Sequence, residues 1–238
     1  MNIDAAACVI TGASKGLGAA LGENLSARQA KVMLSCVDAP ALAMTANRLH
    51  LPQFVCDVTD RGAVAKLAEH SVETLGAIDV WINNAGIWAP YAEVEDIDMD
   101  RAHRIMEVNY FGLAHGSMEA AKRMRAAGKG VIVNILSVRA LAGVPRTAMY
   151  TASKFAARGF SQSMRAELRG SGVSVMNVYP YRIKTELFGE HKHADYESSM
   201  EPAVAARIIA DALAQEAPPE RLEIWSATDV RSGNDLDS

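Results

Sequence analysis

The chain is poor in cysteine. Three occur in 238 residues, Cys8, Cys36 and Cys56, an odd number without metal-ligand spacing, so neither a disulfide framework nor a cysteine zinc site is specified. Each falls in or at the end of an apolar, strand-like run, where a thiol acts as a small buried hydrophobe. An excess of one charge is also missing. Against 28 Asp and Glu stand 24 Lys and Arg, for a net charge of -4 and a pI near 5.9, which leaves no basic footprint for nucleic acid. No apolar run approaches the ~18 residues that cross a bilayer, and the N-terminus lacks a basic segment followed by a long hydrophobic one. The six histidines are scattered apart from the run His191-Lys192-His193, too few together to hold a metal, and no metal site is expected. The expectation is a cytoplasmic protein without nucleic-acid or membrane partners.

What is present is an ordinary globular balance, half hydrophobic and 22% charged, with no linker that divides the chain. Strand-like runs at 5–10, 31–36, 53–56, 78–82, 130–136 and 173–179 alternate with helical patterns, the longest over 98–127 and from Tyr150 to about 169. Such alternation predicts right-handed crossovers and a parallel sheet covered on both faces. The fold class is therefore α/β, a single-domain Rossmann-type doubly wound parallel sheet of about seven strands, the last at 221–225. Residues 1–225 form the predicted folded domain, and 226–238 a polar, partly disordered tail.

Ligands bind such sheets at the carboxyl ends of the strands, and the unusual residues collect there. The first strand runs into Thr11-Gly12-Ala13-Ser14-Lys15-Gly16-Leu17-Gly18. Glycines between a strand and a helix allow a tight turn and let a pyrophosphate approach backbone N–H groups at the helix start. At the end of the second strand, an acidic residue would favour NAD by bonding the ribose 2′-OH, and would repel a 2′-phosphate. Cys36 and Val37 stand there instead, with Asp38 just beyond, while Lys15 can neutralise a phosphate. NADP(H) is favoured and NAD(H) stays possible, Asp38 being the residue that would reverse the preference. Asp57, followed by Val58, is placed either to accept from an adenine amino group or to cap the helix starting near Asp60. In Asn83-Asn84-Ala85-Gly86, small and amide residues suit a backbone pressed against a ligand.

Tyr150-Thr151-Ala152-Ser153-Lys154 sets a phenol and an ammonium four residues apart on one helix face. A nearby cation lowers a phenol's pKa toward neutrality, so the pair can work as an acid/base centre. The apolar run Asn134-Ile135-Leu136 ends in the hydroxyl of Ser137. Asn109, inside a long helix, either meets solvent or core water, or holds an ordered water for proton transfer.

Together these residues resemble the classical short-chain dehydrogenase/reductase family over roughly 5–225. The resemblance implies that Tyr150 is the general acid/base and that Ser137 bonds the substrate oxygen. It further implies that Lys154 binds the nicotinamide ribose and lowers the Tyr150 pKa, and that Asn109 anchors the water of a proton relay. Gly12, Ser14, Lys15, Gly16, Leu17, Gly18, Asp57, Val58, Asn84, Ala85, Gly86, Ile183 and Thr185 would contact the cofactor with Tyr150 and Lys154. The implied activity is hydride transfer between the cofactor and a small-molecule ketone or secondary alcohol, in a homodimer or homotetramer. The remaining readings are an NAD-dependent alcohol dehydrogenase, a sugar epimerase or dehydratase with the same Tyr/Lys pair, and a dinucleotide-binding sensor without catalysis. Two departures stand out: Tyr181 replaces the glycine expected after Pro180, and the family's glycine-containing ending is absent.

The aperiodic stretch at 186–202 is read as a lid over the substrate. Trp88, Pro90, Tyr91, Leu141, Val144, Met149 and Tyr181 are expected as apolar walls, which suits an uncharged substrate with some hydrophobic body. Arg139, Arg146 and Arg182 are expected at the mouth, chiefly as exposed rim charge.

Overall fold

The computed structural model describes residues 2–189 and 195–234. The run His191-Lys192-His193 and part of the expected lid lie outside the described residues, as does the end of the expected tail. In chain order the elements are β1 (Ala7–Thr11), α1 (Gly16–Ala27), β2 (Lys31–Cys36), α2 (Ala39–Leu49), β3 (Gln53–Val55), α3 (Arg61–Leu75) and β4 (Val80–Asn83). There follow α4 (Met99–Met106), α5 (Leu113–Ala127), β5 (Gly130–Ile135), α6 (Ala148–Leu168), β6 (Val173–Pro180), α7 (Pro202–Leu213), β7 (Arg221–Ile224) and β8 (Val230–Gly233).

The strands form one sheet in the order β3-β2-β1-β4-β5-β6-β7-β8. Strands β1 to β7 are parallel, and the order reverses between β1 and β4, which opens a crevice at their carboxyl ends. Alternate residues feed two cores. Cys8 and Ile10 of β1 face Leu21 and Leu25 of α1 and Ile209 and Leu213 of α7. Their neighbours Ala7 and Val9 share the opposite core with Leu67 of α3, Met124 of α5 and Met164 of α6. Full burial of one such Leu or Ile contributes roughly 1.5–3 kcal/mol. Residue-to-residue alternation is why these strands read as continuous apolar runs.

A polar string crosses this apolar sheet. Asn83, Asn134 and Asn177 are register partners on β4, β5 and β6, and all three are buried. Asn83 Nδ2 donates to Asn134 Oδ1 at 2.8 Å and to Ser117 Oγ at 2.9 Å. Asn134 Nδ2 donates to Ser161 Oγ at 2.9 Å, and the Ser161 hydroxyl donates to Asn177 Oδ1 at 2.6 Å. Trp81 Nε1 closes one end, donating to Asn83 Oδ1 at 2.8 Å. Helices α5 and α6, which carry Ser117 and Ser161, are thereby tied to the centre of the sheet.

The sheet's eight strands are close to the about seven expected; the extra one arises because the stretch read as a polar tail from 226 onward turns back and pairs β8 antiparallel to β7. Ser226 Oγ accepts from Thr228 N at 3.2 Å and Asp229 N at 2.9 Å to shape that turn. All four β8 residues are exposed, so the strand carries no apolar alternation by which to recognise it. The helix expected over 98–127 is α4 and α5 joined by a π-helical segment, Glu107–Gly112, with Asn109 at its centre. Such segments occur inside α-helices where a residue is re-aimed, often at functional sites.

Candidate active site

The glycine loop and the turn after β4 are laid against each other. Thr11 Oγ1 accepts from Asn84 N at 3.1 Å and Ala85 N at 3.2 Å. Asn84 Nδ2 donates back to Thr11 O at 3.0 Å and Gly12 O at 2.9 Å. No side chain fits between them. A Cβ on Gly12, whose φ is +64°, would sit 2.7 Å from Ala85 Cα, and one on Gly18 would sit 2.4 Å from Gly12 O. The first turn of α1 receives no side-chain cap from Lys15, so its N–H groups are left for a ligand, and a pyrophosphate fits that cradle by charge and size.

A cleft of about 380 Å³ opens beyond it. Of the expected cofactor and catalytic residues, it is lined by Gly12, Ser14, Lys15, Gly16, Leu17, Gly18, Asn84, Gly86, Ser137, Tyr150, Lys154, Ile183 and Thr185. Ala85, Asp57, Val58 and Asn109 are not on its wall. Asp57 accepts from Thr59 N at 2.9 Å and Thr59 Oγ1 at 2.8 Å and pairs with Arg104 at 3.5 Å. Partial burial works to raise its pKa, but the Thr59 bonds and the Arg104 charge leave it below the usual carboxylate value. The helix after it is capped by Asp60. Val58 is buried against Gly112, where an added Cβ would meet its side chain at 2.6 Å.

At the far end of β2, Cys36 lines the cleft and accepts from Ser14 Oγ at 3.2 Å. The Asp38 carboxylate caps α2 by accepting from Ala41 N at 3.1 Å. Lys15 Nζ meets Glu186 at 2.7 Å, which bridges the glycine loop to the turn Glu186–Phe188. The hydrogen bond it donates to Glu186 holds the Lys15 ammonium above its ordinary pKa, with further support from the charges of Glu186 and Asp38.

Ser137 ends the apolar run from β5, and its Oγ accepts from Arg139 N at 3.2 Å. Tyr150 lies in the first turn of α6, on the same cleft wall as Ser137. Lys154, one turn on, is buried with its Nζ 5.6 Å from the Tyr150 ring centroid and donates to Ile135 O at 3.1 Å. Here the electrostatics depart from expectation. Burial pushes the Tyr150 phenol up to about 12, and the groups that pull against it are Ser137 and Arg139 rather than Lys154. The lysine is itself pushed down by burial to about 8. Helical spacing shows that the two groups share a face; it carries no information on how much water both have lost.

Asn109 reaches the site through its neighbours. Its Oδ1 accepts from Ile87 N at 2.8 Å, and its Nδ2 donates to Ile87 O at 3.0 Å and to Ser153 Oγ at 3.1 Å. A Cβ on Gly86 would lie 3.3 Å from Asn109 Oδ1 and 3.8 Å from Lys154 Nζ, so a side chain there would crowd the Asn109 amide.

Arg101 lines the cleft without a local sequence signal, while Glu186 and Phe188, which also line it, come from the stretch read as a lid. Arg101 Nη2 donates to Trp88 O at 2.8 Å. Tyr196 is buried, with its hydroxyl donating to Thr185 O at 3.1 Å. Phe188 stacks edge-on to Trp88 at 5.3 Å. Of the expected walls, Trp88, Tyr91 and Tyr181 line this cleft, while Pro90 and Met149 line an adjoining cavity and Leu141 and Val144 line neither. Tyr181 lies against Trp225, with ring centroids 5.7 Å apart. Arg146 is paired with Glu93 at 3.1 Å and Arg182 with Asp195 at 2.6 Å. Among the described residues Arg139 has no ion pair, and no cluster of metal-binding side chains occurs.

Comparison with known proteins agrees with this geometry. A family model described as short chain dehydrogenase matches residues 6–195. The 3-alpha-(or 20-beta)-hydroxysteroid dehydrogenase of Mycobacterium bovis is 33% identical over 181 residues, covering 75% of this chain and 69% of its own. The 1-deoxy-11-beta-hydroxypentalenate dehydrogenase of Streptomyces exfoliatus is 29% identical over 238 residues, covering 97% and 86%. Among solved structures, a short-chain dehydrogenase from Streptomyces avermitilis superposes with a TM-score of 0.83 at 26% identity, over 95% of this chain and 90% of that one.

Proposed function

The chain belongs to the short-chain dehydrogenase family, and from that premise we propose that it transfers hydride between NADP(H), in preference to NAD(H), and a ketone or secondary alcohol. The observation that carries this reading is the meeting of Ser137, Tyr150 and Lys154 on the wall of the same cleft as the glycine cradle. Two relatives named as dehydrogenases of hydroxylated compounds support the alcohol/ketone class.

A bound nicotinamide dinucleotide supplies or accepts the hydride. The chain's own share is the proton. With its pKa near 12 in the buried site, Tyr150 is protonated at neutral pH and stands as the acid that completes carbonyl reduction. Ser137, on the same cleft wall as Tyr150, offers a second contact to the substrate oxygen. Lys154 holds a positive charge below pH ~8 on the cofactor side, and Asn109, through Ile87 and Ser153, keeps the β4 turn and α6 in register. The preference for the 2′-phosphorylated cofactor rests on Lys15 and on the engagement of the Asp38 carboxylate as a helix cap, which keeps it from serving the ribose. The assembly proposed is a homodimer or homotetramer, and the location cytoplasmic.

The test is absorbance at 340 nm with NADPH and, separately, NADH against a panel of ketones, with Tyr150→Phe as control. Turnover should be faster with NADPH and fall by roughly 10²–10⁴ in the variant, while cofactor binding by fluorescence is kept. Cofactor binding without turnover in either direction would instead favour a sensor.

A further inference from the structure

The indole of Trp88 is buried beside the reacting groups, 7% exposed, and its Nε1 has no hydrogen-bond partner. The residue is not loosely held. Asn109 fixes both backbone polar groups of the preceding Ile87, and Arg101 fixes the Trp88 carbonyl. Its ring lies against Tyr150 at 4.5 Å, Tyr91 at 5.6 Å and Phe188 at 5.3 Å. Buried indole N–H groups ordinarily find an acceptor, and one left without costs free energy that a ligand oxygen can recover. Tyr150 belongs to α6, whereas Phe188 belongs to the short turn Glu186–Phe188 at the cleft mouth. Phe188 is the neighbour a ligand can displace.

Resting on the reductase reading above, we propose that Trp88 is a specificity-determining donor, whose Nε1–H binds a second oxygen carried one or two carbons from the reacting carbonyl. The substrate class is then a dicarbonyl, hydroxyketone or keto acid in preference to a simple ketone. Tyr150 serves the reacting oxygen and Trp88, stacked on its ring, serves the neighbouring one. A site with a donor of this kind discriminates against the analogue that lacks the acceptor, because binding that analogue leaves the donor buried and unpaired.

The probes are cyclohexanone and cyclohexane-1,2-dione, alike in size, reduced with NADPH by the parent and by Trp88→Phe. In the parent, kcat/KM for the dione should exceed that for the monoketone by roughly tenfold to a hundredfold. The variant should lose this ratio, the dione falling further than the monoketone. Parallel loss for both probes, or an unchanged ratio, overturns the proposal while leaving the reductase reading intact; a parent that reduces no ketone at all strikes at that reading instead. Binding gives a second measurement independent of turnover. With ¹⁵N-labelled tryptophan and bound cofactor, the Trp88 indole N–H resonance should move downfield with the dione and stay in place with cyclohexanone. It is identified by its loss in Trp88→Phe or, if that variant does not fold, by elimination using Trp225→Phe and the slow exchange of the core indole Trp81. An unmoved resonance with saturating dione also overturns the proposal.

Discussion

Lys154 shows how far a residue's chemistry can be read before its surroundings are known. Four-residue spacing places it with Tyr150, and that pairing is a local fact. Its pKa is not local, because the lost hydration comes from β5, the turn at Gly86 and the opposite wall of the cleft. The folded value of about 8 lies below the ordinary 10.5, so between these two the unfolded chain binds more protons and stability rises with pH. Lys154→Met should therefore unfold at higher temperature than the parent at pH 7, by an amount of up to about 3 kcal/mol, reduced by the lost bond to Ile135 O. The advantage should shrink as pH climbs from 8 toward 10.5. Thermal melts across pH 7 to 10 check it, below the range where Tyr150, with its raised pKa, contributes in the opposite sense. An advantage independent of pH would show that the gain comes from packing and not from charge.

At the scale of elements, legibility follows the range of the forces. The β1–α1 glycine loop and the start of α6 were plain in the sequence because turn geometry and helical spacing act over a few residues. The π-helical segment at Asn109 was hidden inside a regular helical pattern, since the partner that Asn109 meets, Ile87, lies 22 residues away. The β8 strand was hidden because its residues face water. The turn Glu186–Phe188 was legible as an aperiodic stretch, but its tie to Lys15 was not, two charges 171 positions apart in sequence having no shared pattern. That tie sets a competition between Glu186 and a 2′-phosphate for one ammonium. Glu186→Gln should tighten NADPH binding roughly two- to fivefold at low salt and leave NADH binding unchanged. Fluorescence titration checks it, and the difference should fade at high ionic strength; equal tightening for both cofactors would assign the effect to the turn's mobility.

At the scale of the whole molecule, apolar residues are left outside the two cores. Phe111 and Met118, seven apart along the π segment and α5, are 41% and 45% exposed, and Phe155 on the neighbouring α6 is 42% exposed. They mark the face on which the proposed dimer would form. The chain, 25.5 kDa alone, should elute with light-scattering mass of at least a dimer, and Phe155→Glu combined with Phe111→Lys should bring it down to the single-chain mass. A monomeric parent would leave these side chains without that role.

The asparagine string through β4, β5 and β6 has a bearing on how the protein fails. Slipping any of these strands by one position strips several amides of their partners at once, each at roughly 1–3 kcal/mol, so the middle of the sheet has no cheap alternative alignment. The first two of these strands run on into Asn84 and Ser137, just past their ends, and the third ends at Pro180. Cradle and candidate catalytic hydroxyl thus hang from a single all-or-none unit, and under heat or denaturant the site has no private melting point: activity and fold leave together.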